Sequence, residues 1–171
     1  IILNRSMLEK DVVLGNALVH MYAKCGATER AVRVLDEIHV RDVICWNALI
    51  AGHALQGQGY EALNSFHSMQ RQGISPNKAT FLCVLSACCH SGLSNKAERI
   101  LESMIKYHGV IPEIEHLTCM VVVFGYAGKF DQAMTMIKAM PQFDEPTVWL
   151  ALLGACKKWG NAELGRLAFD Q

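Results

Sequence analysis

Five glycines recur along this chain at nearly regular intervals, and this periodicity constrains the fold more than any single residue. They are Gly26, Gly57, Gly92, Gly128 and Gly160, and the steps between them are 31, 35, 36 and 32 residues. Five residues after each of these frame glycines lies a small residue, and nine residues after it lies a large apolar one. A period in this range is typical of proteins built from stacked repeats.

The apolar residues before the first frame glycine have the spacing of one helical face. Leu14, Ala17, Leu18, Met21 and Tyr22 follow the i, i+3, i+4, i+7 rule. We therefore predict that each frame glycine ends a first helix as its C-terminal cap, because glycine adopts the left-handed backbone at little cost. A second amphipathic helix is predicted after each glycine, and the small residue five positions on lets the two helices approach closely. Each unit is thus a predicted helical hairpin that stacks on its neighbour.

Composition supports a packed core and limits the classes of ligand. The hydrophobic fraction is 51%, and no apolar run is long enough to span a membrane, so we expect no membrane partner. Lys plus Arg and Asp plus Glu both number 16, so any contact with RNA depends less on counterion release than is usual. None of the seven cysteines is in a Cys-x-x-Cys spacing, and most lie inside helical patterns, where we expect reduced, buried side chains.

Three segments carry a specific resemblance to a known family. They read NALVHMYAKCG (16–26), DVICWNALIAGHALQGQGYEALNSFHSMQRQGISP (42–76) and TFLCVLSACCHSGLSNKAERILESM (80–104). These segments resemble pentatricopeptide repeat proteins, and the unequal period resembles the plant subclass in which short, standard and long repeats alternate. The resemblance implies an all-α fold, a right-handed α-solenoid of stacked helix-turn-helix repeats.

The same resemblance divides the chain into repeats of different class. Residues 1–10 resemble the tail of a preceding long repeat, so the chain is expected to be part of a longer protein. The following units resemble a short repeat (11–41), a standard repeat (42–76), a long repeat (77–112), a final short repeat (113–143) and part of a C-terminal extension motif (144–171).

In this family each repeat faces one base of single-stranded RNA. The resemblance implies two base-reading positions, one ten residues before the frame glycine and one just before the next repeat. The pairs so defined are Asn16 with Asp42, Asn47 with Asn77, Leu82 with Glu113, and Thr118 with Glu145.

The first two pairs carry the prediction of RNA binding. An amide offers both a donor and an acceptor to the Watson–Crick edge of a pyrimidine. By resemblance, Asn16 with Asp42 favours U, and Asn47 with Asn77 favours C with U tolerated, which gives 5′-UC-3′. Val13 and Ile44 are expected to pack against the faces of the bases. The pairs Leu82–Glu113 and Thr118–Glu145 offer poorer donor–acceptor sets and are expected to contribute less, and Leu150 is not expected to read a base.

Asp42 and Asn77 also precede predicted helices, where a polar residue often serves only as an N-cap. Both interpretations, base contact and helix capping, follow from the sequence.

Family members often end in a cytidine deaminase domain, which needs His-x-Glu and Pro-Cys-x-x-Cys to hold zinc. Neither motif occurs here, and the adjacent Cys88, Cys89 and His90 are not expected to bind a metal. We therefore expect no enzyme activity, no catalytic residue, no metal site and no cofactor.

The leading hypothesis is an RNA-binding part of a C-to-U RNA editing factor of a mitochondrion or chloroplast. A deaminase-domain protein or another editing factor is the partner expected at the C-terminal repeat and extension motif. The alternative is a protein-interaction scaffold; a general RNA stability or splicing factor is a third possibility. Val122 and Tyr126 stand where the family carries an acidic residue and an Arg. They could mark a protein-binding face, a degenerate repeat, or a contact with the extension motif.

Overall fold

The computed structural model describes residues 12–140 and 146–170, and its regular elements there are all α-helices. The predicted 1–10 segment, Glu145 and the 143/144 boundary lie outside the described residues. Within them, ten helices follow one another: α1 (Val12–Lys24), α2 (Thr28–Glu37), α3 (Val43–Leu55), α4 (Gly59–Arg71), α5 (Lys78–His90), α6 (Ser94–Lys106), α7 (Ile114–Tyr126), α8 (Phe130–Lys138), α9 (Pro146–Trp159) and α10 (Ala162–Phe169). The all-α prediction is confirmed. None of these helices is long and apolar enough to cross a membrane.

The frame glycines end the first helices, as the sequence predicted. All five have positive φ, between 66° at Gly92 and 75° at Gly26. The chain closes several of these helices with a bond from the residue after the glycine to a carbonyl five residues earlier, as in Ala27 N–H to Tyr22 O at 2.9 Å and Lys129 N–H to Phe124 O at 2.8 Å. This is the Schellman arrangement, which satisfies carbonyls that the helix leaves unpaired.

Two further glycines cap second helices and were not predicted. Gly73 follows α4 with φ of 76°, and Gly109 follows α6 with φ of 62°. After Gly73, the Ile74 N–H donates to Met69 O at 3.2 Å, which is the same closing bond. They escaped the sequence analysis because glycine does not recur at this place in the other units.

The described residues fall into two compact units that divide between Ser91 and Gly92. In the first unit α3 packs between α1 and α5, while α2 and α4 are the second helices of their hairpins. The residues seven before the frame glycines, Val19, Ile50 and Leu85, are fully buried. The ring of Phe66 on α4 meets the ring of Phe81 on α5 edge-on at 5.7 Å. These contacts form the core of this unit.

Neighbouring first helices touch through small residues. A Cβ atom built on Gly52 of α3 would lie 2.6 Å from the Cβ of Ala23 on α1. In the second unit, a Cβ atom on Gly125 of α7 would lie 2.7 Å from the Cβ of Ala155 on α9. Both contacts join the residue three before one frame glycine to the residue five before the next. The repeat therefore places a close helix–helix approach at one register position in both units.

The second unit comprises α6 to α10, with α7 packed against α8 and α9, and α10 packed on α9. Its core includes Val121 and Leu152, which are fully buried. The ammonium of Lys129, just before α8, lies 2.7 Å from Glu98 Oε1 and 3.2 Å from Asn95 Oδ1 on α6. This ion pair fastens the turn between α7 and α8 to α6.

The small residues that follow the frame glycines behave as predicted in four units, since Ala31, Ala62, Ala97 and Ala133 are completely buried. The large apolar residues nine after the glycine differ more. Leu35, Phe66 and Ile137 are buried, but Phe169 is 77% exposed. Phe169 is the last residue of α10, and no later helix packs on it in the part of the chain that the structure describes.

Candidate nucleic-acid interface

Asn16 and Asp42, the first predicted pair, are hydrogen-bonded to each other. Asn16 lies on the second turn of α1, and its Nδ2 donates to Asp42 Oδ2 at 2.9 Å. The other carboxylate oxygen, Oδ1, accepts from the backbone N–H groups of Ile44 and Cys45 at 3.0 Å each. Asp42 is therefore the N-cap of α3 and the partner of Asn16 at once, with one oxygen for each task.

The Asp42 carboxyl is held ionised by these bonds. Partial burial alone raises its pKa, but the bonds from Cys45, Asn16 and Ile44 outweigh that effect and place the pKa below the ordinary 3.8. Near neutral pH, Asp42 is thus an acceptor with a full negative charge, and its Oδ2 fixes the amide nitrogen of Asn16.

The second predicted pair is also in contact, within a larger network. Asn47 Nδ2 donates to Asn77 Oδ1 at 3.3 Å, and Asn47 Oδ1 accepts from the Thr80 hydroxyl at 2.6 Å. Asn77 Oδ1 accepts from Thr80 N–H at 3.0 Å, while Asn77 N–H donates to Thr80 Oγ1 at 3.1 Å, which is a capping box at the start of α5. The bonds to the Asn77 side chain from Asn47 and Thr80 reach Oδ1, so Nδ2 is the donor that this side chain contributes.

A groove of about 630 Å³ runs over α1, α3 and α5. Its lining residues include three amides, one histidine, one isoleucine and several alanines: Asn16, Ala17, His20, Ile44, Asn47, Ala48, Ala51, Asn77 and Ala79. The groove therefore brings together four of the predicted site residues. We call it the α1–α3–α5 groove.

The two predicted packing residues are open to solvent. Val13 is 77% exposed and Ile44 is 61% exposed, and each lies one helical turn before its asparagine. An aliphatic side chain so placed gains by covering the face of a base, because burial of apolar surface is favourable. Ile44 lines the α1–α3–α5 groove, whereas Val13 and Asp42 are not among its lining residues.

Leu82, Glu113 and Thr118 are the described residues of the two weaker predicted pairs. Leu82 is half-buried on α5, and Glu113 is exposed at the N-cap of α7, where its N–H donates to His116 Nδ1 at 3.1 Å. The Thr118 hydroxyl donates to Ile114 O of its own helix at 2.8 Å. Its expected partner Glu145 lies outside the described residues. Leu150 is 65% exposed and offers no polar atom from its side chain.

Two residues of the α1–α3–α5 groove region were missed by the sequence analysis. His20 lies one turn after Asn16 and lines the groove. Thr80 is completely buried and bonds to both members of the second pair. The Asn77-x-x-Thr80 spacing, typical of a capping box, was the available signal for Thr80.

The cysteines are reduced in this structure, and all seven are free thiols. Burial raises the pKa of the Cys45 and Cys83 thiols to about 11, so both are protonated near neutral pH. Cys88 is completely buried. Among the described residues, no three or more His, Cys, Asp or Glu side chains are grouped so that they could hold a metal ion.

The unusual Tyr126 contacts the helix that follows its hairpin. Its backbone carbonyl accepts from the Trp159 indole N–H at 3.2 Å and from the Lys158 ammonium at 3.3 Å. The same ammonium lies 5.2 Å from the centre of the Tyr126 ring, and a Cβ atom on Gly154 would be 3.5 Å from the Tyr126 hydroxyl. Of the three interpretations of Tyr126, a contact with α9 is therefore seen, although 44% of Tyr126 stays exposed.

Comparison with known proteins agrees with the repeat pattern. Models of the PPR repeat match residues 16–43 and 79–108, and a PPR repeat family model matches residues 41–90. The chain belongs to the pentatricopeptide repeat family. The pentatricopeptide repeat-containing protein CRR2, chloroplastic, of Arabidopsis thaliana is 43% identical over 164 residues, which are 96% of this chain and 25% of that protein. A second Arabidopsis thaliana relative, named as mitochondrial, is 40% identical over 96% of this chain and 23% of its own length.

This pentatricopeptide repeat chain thus spans about a quarter of the length of such relatives. Its fold is similar to that of maize PPR10, solved in complex with an 18-nt psaJ RNA element, with a TM-score of 0.77 and 22% identity over 94% of this chain and 24% of that one. The PPR domain of Arabidopsis thaliana protein-only RNase P 1, solved in complex with tRNA, gives a TM-score of 0.69 and 20% identity over 89% of this chain and 83% of that one. Both likenesses concern the fold, and they confirm a solenoid of helical repeats.

Proposed function

We propose that this chain binds single-stranded RNA along the α1–α3–α5 groove, one base per repeat, as part of an organelle C-to-U RNA editing factor. The observation that carries the proposal is the recurrence of one arrangement. Two asparagines 31 positions apart each donate from Nδ2 to the polar residue that caps the next first helix, at 2.9 Å and 3.3 Å. Asparagines that lay on the surface by chance would have no reason to repeat this bond from one repeat to the next.

The two pairs differ in what they offer a base. Asp42 brings only acceptors, so the first pair favours a pyrimidine with a donor at N3, which uracil has. Asn77 brings an amide donor through Nδ2, which suits the N3 acceptor of cytosine. Because the Asn16 and Asn47 amides supply donors in both pairs, each base also finds a partner for a carbonyl oxygen. The pairs therefore support the predicted order 5′-UC-3′.

The lining of the groove favours recognition by base contacts rather than by charge. Its lining residues are neutral amides and small or aliphatic side chains, with His20 as the one titratable group among them. Each phosphate neutralised by a cation adds to the salt dependence of binding. We expect a shallow dependence of affinity on salt, and a preference for RNA whose bases are unpaired.

Relatives and structural neighbours support the broader part of the proposal. The solved PPR10 and protein-only RNase P 1 structures hold RNA, and the names of two relatives place them in the chloroplast and the mitochondrion. The editing role rests on the alternation of repeat lengths, which resembles the editing subclass. By the same resemblance, a deaminase-domain protein or another editing factor is the partner expected at the C-terminal repeat and extension motif.

A protein-interaction scaffold is the second candidate, and the second unit favours it. Leu150, Trp159 and Phe169 there are 65%, 53% and 77% exposed. Exposed apolar and aromatic side chains often mark interaction surfaces. Both candidates can hold for one chain, with RNA in the first unit and a protein on the second.

Binding of short labelled RNAs tests the proposal. The RNA carries UC within a run of adenosines, and every base is placed in turn at each of the two positions. We expect Asn16→Ala to remove the preference at the first position and Asn47→Ala to remove it at the second. Asn64→Ala is the matched control, because Asn64 is an exposed asparagine on α4 outside the groove. Equal affinity of the unaltered chain for all sequences would contradict the proposal.

A further inference from the structure

A buried residue next to each of the two pairs, Asn16–Asp42 and Asn47–Asn77, differs between them. Three residues after Asp42 lies Cys45, and three residues after Asn77 lies Thr80. Both side chains are completely buried at the start of a first helix. They occupy equivalent places, because each backbone N–H donates to the capping side chain at 3.0 Å. The chemical difference between them is a hydroxyl in one pair and a thiol in the other.

The hydroxyl of Thr80 holds the amide of Asn47 in one orientation. It approaches Asn47 Oδ1 to 2.6 Å and Asn77 Oδ1 to 3.0 Å. A hydroxyl has one proton, and the shorter contact is the better bond. The carbonyl of Asn47 is therefore fixed toward the protein, and its Nδ2 is directed at Asn77 and the groove.

The thiol of Cys45 gives Asn16 no such support. Its Sγ donates instead to the backbone carbonyl of Asp42 at 3.0 Å. Asn16 Oδ1 is buried, with less than 1 Å² accessible, and has no hydrogen-bond partner among the described residues. Asn16 is thus oriented from one side alone, by the bond from its Nδ2 to Asp42.

We propose that Thr80 is a positioning residue for base selection. In each pair, the residue three positions after the helix-capping member is a third determinant of which base is preferred. This inference rests on the proposed function, since it assigns a role in reading the base. Rotation of an asparagine amide by half a turn exchanges its donor and its acceptor, and with them the bases it can pair with. A bond that blocks this rotation sharpens the choice of base. The Thr80 hydroxyl makes such a bond in the second pair. The Cys45 thiol makes none to Asn16 in the first pair, because it donates to the Asp42 carbonyl.

Removal of the hydroxyl is the first arm of the test. Thr80→Val keeps the shape of the side chain, and Thr80→Ser keeps the hydroxyl. We expect Thr80→Val to reduce discrimination at the second base about fivefold, the usual worth of one hydrogen bond. Discrimination at the first base should be unchanged, and Thr80→Ser should restore the second. The helical circular dichroism of each variant shows whether it folds.

Addition of the hydroxyl is the second arm. Cys45→Thr would supply a donor to Asn16 Oδ1, and we expect about fivefold better discrimination at the first base. Cys45→Val fills the same volume without a donor and should give no gain. A gain shared by both variants would mean that packing, rather than a hydrogen bond, controls the first pair, which would overturn the proposal.

The side-chain amide signals of the asparagines give a readout that needs no RNA. In nuclear magnetic resonance spectra, Thr80→Val should shift the signal of the Asn47 side-chain carbonyl carbon, because that carbonyl accepts from the Thr80 hydroxyl. Cys45→Thr should shift the corresponding signal of Asn16, whose Oδ1 would gain a donor. Unchanged carbonyl signals in both variants would overturn the proposed orientation.

The two kinds of failure are distinguishable. If the unaltered chain shows no base preference at either position, the proposed function fails and the role of Thr80 in base selection fails with it. If the unaltered chain discriminates at both positions and Thr80→Val discriminates equally well, the inference about Thr80 alone is overturned.

Discussion

The close approach of α1 and α3 makes the substitution Gly52→Ala a sharp test of how the repeats stack. An added Cβ would lie 2.6 Å from the Cβ of Ala23, 3.0 Å from its Cα and 3.2 Å from its carbonyl carbon. Two of these atoms belong to the backbone, so no side-chain rotation relieves the contact. Helix α1 must therefore move away from α3, which opens the packing around the fully buried Val19 and Ile50.

The expected loss of stability follows from two opposing effects. Alanine favours a helix over glycine by about 1 kcal/mol. Overpacking of a tight contact costs about 1–3 kcal/mol, and backbone contacts place this site at the upper end. We therefore expect Gly52→Ala to lower the free energy of unfolding by roughly 2 kcal/mol, after the gain in helix propensity is subtracted.

Gly154→Ala is a matched control, for which we expect the free energy of unfolding to rise rather than fall. Gly154 also lies inside a first helix, but its added Cβ would meet only the Tyr126 hydroxyl at 3.5 Å, an ordinary contact. Gly154→Ala should therefore stabilise the chain by up to about 1 kcal/mol. Urea unfolding followed by helical circular dichroism measures both. A Gly52→Ala chain as stable as the unaltered one would refute the close approach of α1 and α3.

Three other predictions concern single side chains. The pKa of Asp42 in the folded chain is below the 3.8 of an unfolded carboxyl, so the stabilisation from its charge is fully present above pH 3.8 and is lost as the pH falls through the folded pKa. The stability difference between the unaltered chain and Asp42→Asn should therefore be constant above about pH 5 and shrink in acid. Trp159→Phe removes the indole bond to the Tyr126 carbonyl, and urea unfolding should show a loss of about 0.5–1 kcal/mol. Cys25 is the one exposed thiol of the seven, so a thiol reagent should titrate one fast-reacting group, which Cys25→Ser abolishes.

The sequence was sufficient to predict the helices and their ends. The frame glycines mark a backbone conformation that other residues avoid, and that constraint is local, so Gly26 and Gly128 could be assigned without a structure. The apolar face predicted for the first helix was wrong in its register, because α1 buries Gly15, Val19 and Ala23 and leaves Ala17 and Met21 exposed. The second-helix caps Gly73 and Gly109 were missed because they do not recur in every unit.

Side-chain partnerships were less accessible from sequence. The register predicted that Asn16 and Asp42 lie close, but the choice between capping and base contact depended on where each carboxylate oxygen points. The structure shows that one oxygen caps α3 and the other accepts from Asn16, and base contact stays a prediction. The role of Thr80 depends on the approach of three side chains from two helices, which spacing along the chain does not encode. The same holds for the contact of Tyr126 with Trp159.

Base preference at the first pair is the most direct test of the account. Asp42→Asn keeps a side chain that caps helices well, so the fold should be retained, while the charged acceptor is replaced by an amide like that of Asn77. Binding to RNAs that differ only at the first of the two bases is measured for both chains. We predict that preference at this base shifts from U toward C, with the second base unaffected. An unchanged preference at the first base would contradict the claim that Asn16 and Asp42 read it.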